Sequence, residues 1–207
     1  IDKLEAIYHF TSAMSSASSL TDVYQMALDF MQQQLQVDRA AILLLDSTHT
    51  MHFTASRGLS DSYCHHFDGH SAWSADEMPV TLLVKDITKS ERFSHYRADI
   101  EAEGIRALAF LPLLQHGRLL GKFMLYFDQP HEFEMSEIQF ANTIAMHVAF
   151  AIDRKIAEQQ FVDIFEFAPD AMLMTDMEAK ITLANLQAER LFGYEHDELI
   201  GQSIDVL

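Results

Sequence analysis

The run from Ile105 to Gln115, "IRALAFLPLLQ", and the run from Arg118 to Asp128, "RLLGKFMLYFD", meet at "HGR". A connection this short joins two antiparallel strands. Both runs are apolar at nearly every position, where a half-solvated strand would alternate, so both faces of the hairpin must be covered. The rest of the chain therefore has to supply helices for two sides of one sheet.

The other segments meet that demand. Residues 3 to 17 place Leu4, Ile7 and Met14 on one helical face. Thr21 and Asp22 are N-cap types ahead of "VYQMALDFMQQQLQ", whose stripe is Val23, Met26, Ala27, Phe30 and Met31. "RAAILLLD" and "MHFTASRG" are predicted as two strands with a tight connection. A short helix from Ser60, a loop through Pro79 and a strand at "VTLLVKD" follow, then a helix over "SERFSHYRADIEAEG" that Gly104 ends. Ser136 opens a long helix to about Val162. Its Ile138, Ala141, Ala145, Val148 and Ile152 repeat at alternating steps of three and four, a heptad seam that Lys155 interrupts. The fold class is α+β: an antiparallel sheet with helices on both faces.

Composition excludes several function classes. Fourteen Lys and Arg against 31 Asp and Glu leave a net charge of −17, with no basic cluster to neutralise phosphates. Neither nucleic acid nor membrane contact by this segment is expected. The longest apolar runs fall far short of a spanning helix, and no signal peptide is visible. A single cysteine cannot close an internal disulfide, which fits a reducing, cytoplasmic setting. The start at Ile1 in place of Met is expected of a piece cut from a longer chain.

"SYCHHFDGHSAW" gathers the one cysteine, three histidines and the one tryptophan. As a metal site it lacks the paired ligand spacing that zinc needs, because Cys64, His65 and His66 are adjacent and point to different sides of a helix. No metal is expected. No nucleophile elbow, Walker loop or phosphate-cradling glycine run occurs, and Glu101 and Glu103 suit a solvated helix face. No catalytic residue is assigned, and this fragment is not expected to be an enzyme.

Taken in order, "VDRAAILLLD", "RGLSDSYCHHFDGHSAW", the stretch from Val84 to Phe127 and the closing helix resemble a GAF domain, over roughly residues 4 to 157. "DGHSAW" is similar to the "EGHSPW"-type loop of GAF domains joined to PAS domains. Residues Phe165 to Leu207 resemble the first half of a PAS domain. There "APDAMLMTD" and "AKITLAN" match the first two strands, "MEAK" is the turn, and a helix carries Ala188, Leu191 and Phe192 inward. The implied organisation is a GAF domain with flanking signalling helices over 1–160, then a linker and a truncated PAS segment over 161–207. A hairpin alone leaves an unpaired edge, so this segment is expected to be loosely packed or completed by another chain.

The resemblance implies a sensory input fragment of a bacterial signal-transduction protein, with a histidine kinase as the output domain of the same protein. A GGDEF-type diguanylate cyclase is the alternative output, and a ligand-free dimerisation and relay module is the alternative role. It also implies a pocket between the sheet and the layer above it, with His70, Trp73, Phe93, Tyr96 and Ile100 as candidate ligand contacts. No cofactor is expected, although a small-molecule ligand of unknown identity fits. Bilin attachment does not fit, because the phytochrome-type cysteine position falls near Arg97 and Cys64 lies elsewhere. The GAF-type methionine sulfoxide reductases need several cysteines, and this chain has one. The seam from Ile138 to Ile152, with Leu4 and Ile7, either forms a parallel homodimer or covers the sheet within one chain.

Overall fold

The computed structural model describes residues 3–71, 73 and 78–207. The chain divides into two compact units, Ile1–Asp153 and Arg154–Leu207. In the first, α1 (Lys3–Ser16) and α2 (Leu20–Leu35) precede β1 (Arg39–Leu45) and β2 (Met51–Arg57). Then come α3 (Asp61–Phe67), β3 (Leu82–Val84), α4 (Arg97–Ala102), β4 (Ala107–Gln115), β5 (Arg118–Phe127) and the 32-residue α5 (Met135–Glu166). The five strands are antiparallel in the order β2-β1-β5-β4-β3.

The β4–β5 hairpin anticipated from "HGR" is present. His116 and Gly117 both take positive φ, 51° and 75°, as a two-residue hairpin turn matched to strand twist requires. Alternation along these strands splits the core into two layers. Leu108, Phe110, Met124 and Tyr126 join Ala41 and Leu43 in a cluster that also contains Tyr63, Trp73 and Ile100. Phe123 and Leu125, equally buried, point to the opposite face. On that helical layer, Phe10 of α1 lies 4.4 Å from Phe30 of α2, and Phe30 lies 6.2 Å from Phe140 of α5.

Several local expectations are corrected. The inward stripe of α1 is Ala6, Phe10 and Met14, set by the Phe10–Phe30 contact, so Leu4 is 73% exposed and Ile7 half-buried. The cap of α2 is Ser19, one turn's start earlier than Thr21. Its hydroxyl accepts from the Asp22 amide while Asp22 accepts from the Ser19 amide. The helix expected over residues 90–104 shrinks to α4. A 3-10 turn at Ile87–Lys89 capped by Asp86 takes part of the preceding chain, and the Arg97 guanidinium closes the turn after it by donating to the Ser90 carbonyl at 2.9 Å. Glu103 is not simply solvated, since it accepts from both the amide and the hydroxyl of Ser60 at 2.6 Å, fastening α3 to α4. The expected loop before Pro79 includes Ala72 and residues 74–77, which lie outside the described residues.

The second unit holds β6 (Leu173–Thr175), β7 (Ile181–Ala184), α6 (Leu186–Phe192) and α7 (His196–Leu199). Ile181, Ala184, Ala188 and Leu199 form its buried cluster, with Phe192 partly buried against them. Leu191, expected inward, is 68% exposed, because one short helix turns only Ala188 and Phe192 toward so small a core. Asn185 is fully buried. Its amide donates to the Phe165 and Asp170 carbonyls at 3.0 and 2.9 Å, and its oxygen accepts from the Met172 and Ala188 amides at 2.8 and 3.0 Å.

Candidate functional site

A cavity of about 70 Å³ lies between the sheet and the α3–α4 layer. Its floor comes from the face of β1, β4 and β5 that carries Leu43, Leu108, Phe110, Met124 and Tyr126. Its roof comes from Tyr63 and Phe67 of α3, from His70 and Ser71 just after it, and from Phe93, Tyr96 and Ile100 around α4. Four of the five residues anticipated from sequence therefore line it: His70, Phe93, Tyr96 and Ile100. Trp73 stands one step back. It is buried, meets the Phe110 ring edge-on at 6.5 Å, and donates its indole N–H to the Val80 carbonyl at 2.9 Å. It pins its loop and shapes the wall from behind.

The rings are ordered by one another. Phe93 and Phe110 are nearly parallel with centroids 5.4 Å apart, while Tyr96 meets His70 at 5.4 Å and Phe67 at 5.6 Å edge-to-face. Tyr63 and Tyr126 pack edge-to-face with ring centres 6.0 Å apart. Burial pushes both phenols well above their ordinary range, so they stay protonated.

The residue that sequence reasoning missed is Lys122. It sits in the middle of β5 between Leu43 and Pro112 and is only 5% exposed. Its ammonium donates to the His70 carbonyl at 2.8 Å and lies 5.7 Å from the centre of the Phe110 ring. No ion pair with a carboxylate is formed among the described residues. Desolvation lowers its pKa from 10.5 to about 8. One signal could have found it: Lys122 is the sole charged residue between Arg118 and Asp128, on the central strand of a sheet already expected to be covered on both faces.

The histidine-rich stretch resolves into structural contacts. His52 is held between Asp68, at 2.7 Å, and Asp46, at 3.4 Å, and Asp68 also accepts from the Phe53 amide. The hydrogen bond that His52 donates to Asp68 raises the His52 pKa above 6.5. His66 pairs with Asp99 at 3.4 Å. Cys64 has its thiol pushed up by burial and contacts the Ser56 hydroxyl at 3.9 Å, which makes it a poor nucleophile. No group of three or more ligand-type side chains able to hold a metal occurs among the described residues.

Of the seam positions on α5, Ala141, Ala145, Val148 and Ile152 are all buried within the chain, and Ile138 is half-buried. That face is thus already covered by the chain's own core. The large apolar side chains that α1 and α5 expose are Leu4, Tyr8, Met135, Met146, Phe150, Phe161, Val162 and Ile164. No helix among the described residues is long and apolar enough to cross a membrane.

An antiparallel five-stranded sheet between helical layers, with a ring-lined cavity on one side, defines a sensory α+β module. The GAF domain family matches residues 19–152, and the chain belongs to it; residues 159–207 match the PAS domain family. A solved domain of a Sinorhizobium meliloti protein named as a two-component sensor histidine kinase is 43% identical, with a TM-score of 0.65, covering 70% of this chain and 99% of that one. The GAF domain of a phosphoenolpyruvate-protein phosphotransferase from Coxiella burnetii shares the fold at 19% identity and a TM-score of 0.62, over 77% of this chain and 97% of that one. A Synechocystis protein named for methyl-accepting chemotaxis is 27% identical over 146 residues, 70% of this chain. This chain spans only 14% of that relative's length.

Proposed function

We propose that this chain is a cytoplasmic input region of a bacterial sensor histidine kinase, in which the GAF unit holds a small molecule over its sheet and α5 relays the occupancy toward the output domain. The observation that carries the proposal is the cavity itself: rings from three separate elements converge on it, together with a buried lysine on its floor. The 43% identical domain, from a protein named as a sensor histidine kinase, supports that output, and a GGDEF-type cyclase is the alternative. The relay is supported by α5 being a single helix without Gly or Pro, which transmits displacement where a flexible linker absorbs it. A homodimer would not use the buried seam. It would use the exposed Met146 and Phe150 of α5 with Leu4 and Tyr8 of α1.

A second reading, a ligand-free dimerisation and relay module, is favoured by the small cavity and by those exposed apolar side chains. Native mass spectrometry of the protein as purified separates the two. Dimers carrying one small molecule per subunit are expected; dimers without added mass would favour the second reading, and an empty monomer would refute both.

A further inference from the structure

The charge on Lys122 has no counterpart in the cavity it faces. The walls contain no Asp, Glu or Arg, and Lys122 forms no ion pair among the described residues. Of its three N–H donors, one goes to the His70 carbonyl. The Phe110 ring offers a diffuse partner at 5.7 Å. Ammonium groups at this depth are rarely left without an opposing charge or a full set of acceptors. Here the set is incomplete, and its open side is the cavity.

On that basis we infer that the ligand of this cavity is a small monocarboxylate whose carboxylate pairs with the Lys122 ammonium while its apolar body lies against the Phe93, Phe110 and Tyr96 rings. The inference rests on the ligand-sensing reading and adds the chemical class. Three observations select it. One lysine balances one negative charge, and a second charge on the ligand would sit unpaired against aromatic carbon. The chain carries a net charge of −17, so multiply charged phosphates and nucleotides are repelled on approach more strongly than a monoanion. The cavity of about 70 Å³ holds roughly five water-sized groups, which admits a carboxylate with a short chain or a slim ring and excludes a nucleotide.

The preference is also one of form. A carboxylate oxygen can accept from either of the two remaining N–H donors and brings the full negative charge that the ammonium lacks. The matching primary amide has the same outline but no charge. It would leave the ammonium uncompensated, so the site should separate acid from amide sharply.

The test uses the full 207-residue chain. Acetate, propionate, butyrate and benzoate are titrated by calorimetry and by Trp73 emission, alongside acetamide, propionamide, butyramide and benzamide. At least one acid is expected to bind at one per chain and at least ~30-fold more tightly than its amide, the ratio expected when a buried charge loses its partner. Lys122→Met, checked for folding by circular dichroism, is expected to abolish that ratio. An acid and its amide binding equally to the unaltered chain would overturn the carboxylate assignment while leaving the ligand sensor standing. That comparison needs no variant, so a folding defect in Lys122→Met cannot obscure it. If neither series binds and native mass spectrometry shows no retained molecule, the ligand-sensing reading falls as well.

Discussion

Replacing Lys122 by methionine should make the empty protein more stable at neutral pH, which is unusual for a change at the centre of a sheet. The side chains are of similar length, and the site is lined by Phe110 and Met124, so the methionine is accommodated. The magnitude follows from the lysine's displacement from 10.5 to about 8, at about 1.4 kcal/mol for each pH unit: about 3 to 4 kcal/mol of penalty for holding the charge indoors. The sign is set by proton binding. Between pH 8 and 10.5 the unfolded chain keeps the proton that the folded chain releases, so stability from this group rises with pH across that window. Below pH 8 both states are charged and the whole penalty applies. Urea unfolding followed by Trp73 emission reports on the first unit alone, because the only tryptophan lies there. The variant is expected to exceed the parent by up to about 4 kcal/mol at pH 7, with most of that gap gone by pH 10.5. Tyr63 and Tyr126, raised by burial, lose stability above pH 10 in both proteins and cancel in the difference. A variant less stable than the parent at pH 7, or a gap that ignores pH, would show that the ammonium is already compensated in the fold.

Other perturbations test the frame around the site. Asn185→Ala strands the Asp170 carbonyl and the Met172 amide and takes one of two partners from the Phe165 carbonyl and the Ala188 amide, so it should cost the second unit about 3 kcal/mol, read as lost hydrogen-exchange protection at Met172; unchanged protection there would refute the role. Gly121→Ala places a methyl group against the Leu43 carbonyl of the neighbouring strand, and a loss of about 3 kcal/mol or more is expected on thermal melting; a variant that melts with the parent would contradict it. His52 should titrate above 6.5 by NMR, so its pairing helps stability below that pH and fades as pH rises through its folded value. Asp68→Asn should bring the titration back toward 6.5, and an unmoved midpoint would place the cause elsewhere.

Much of this architecture was legible from hydrophobic pattern. The hairpin around "HGR" prescribed a sheet covered on both faces, and the long helix appears within a few residues of its expected ends. His70, Phe93, Tyr96 and Ile100 were placed together only through the GAF resemblance, because sequence spacing does not tell which loop folds over which strand. The seam on α5 shows the same blindness: a three-four repeat marks a buried face but not whether a partner or the chain's own sheet buries it. The segment before Arg97 looked helical because its residues tolerate a helix. Tertiary bonds decided otherwise, through the Asp86 cap, the Arg97 donation to Ser90 and the seating of Phe93 on Phe110. Lys122 was overlooked since one polar letter in ten scarcely alters an apolar run, and only the pleat reveals that it faces the cavity layer.

The two-sidedness of β5 has an evolutionary corollary. Positions 122, 124 and 126 face the cavity, whereas 123 and 125 belong to the layer beneath the helices. If the cavity holds a ligand as proposed, related sequences can exchange the first set, and with it the molecule bound, without disturbing the second set that keeps the helices seated. On that reading, descendants of such a domain would diversify in even-numbered steps along this strand, each changing its cavity while inheriting an unchanged helical layer.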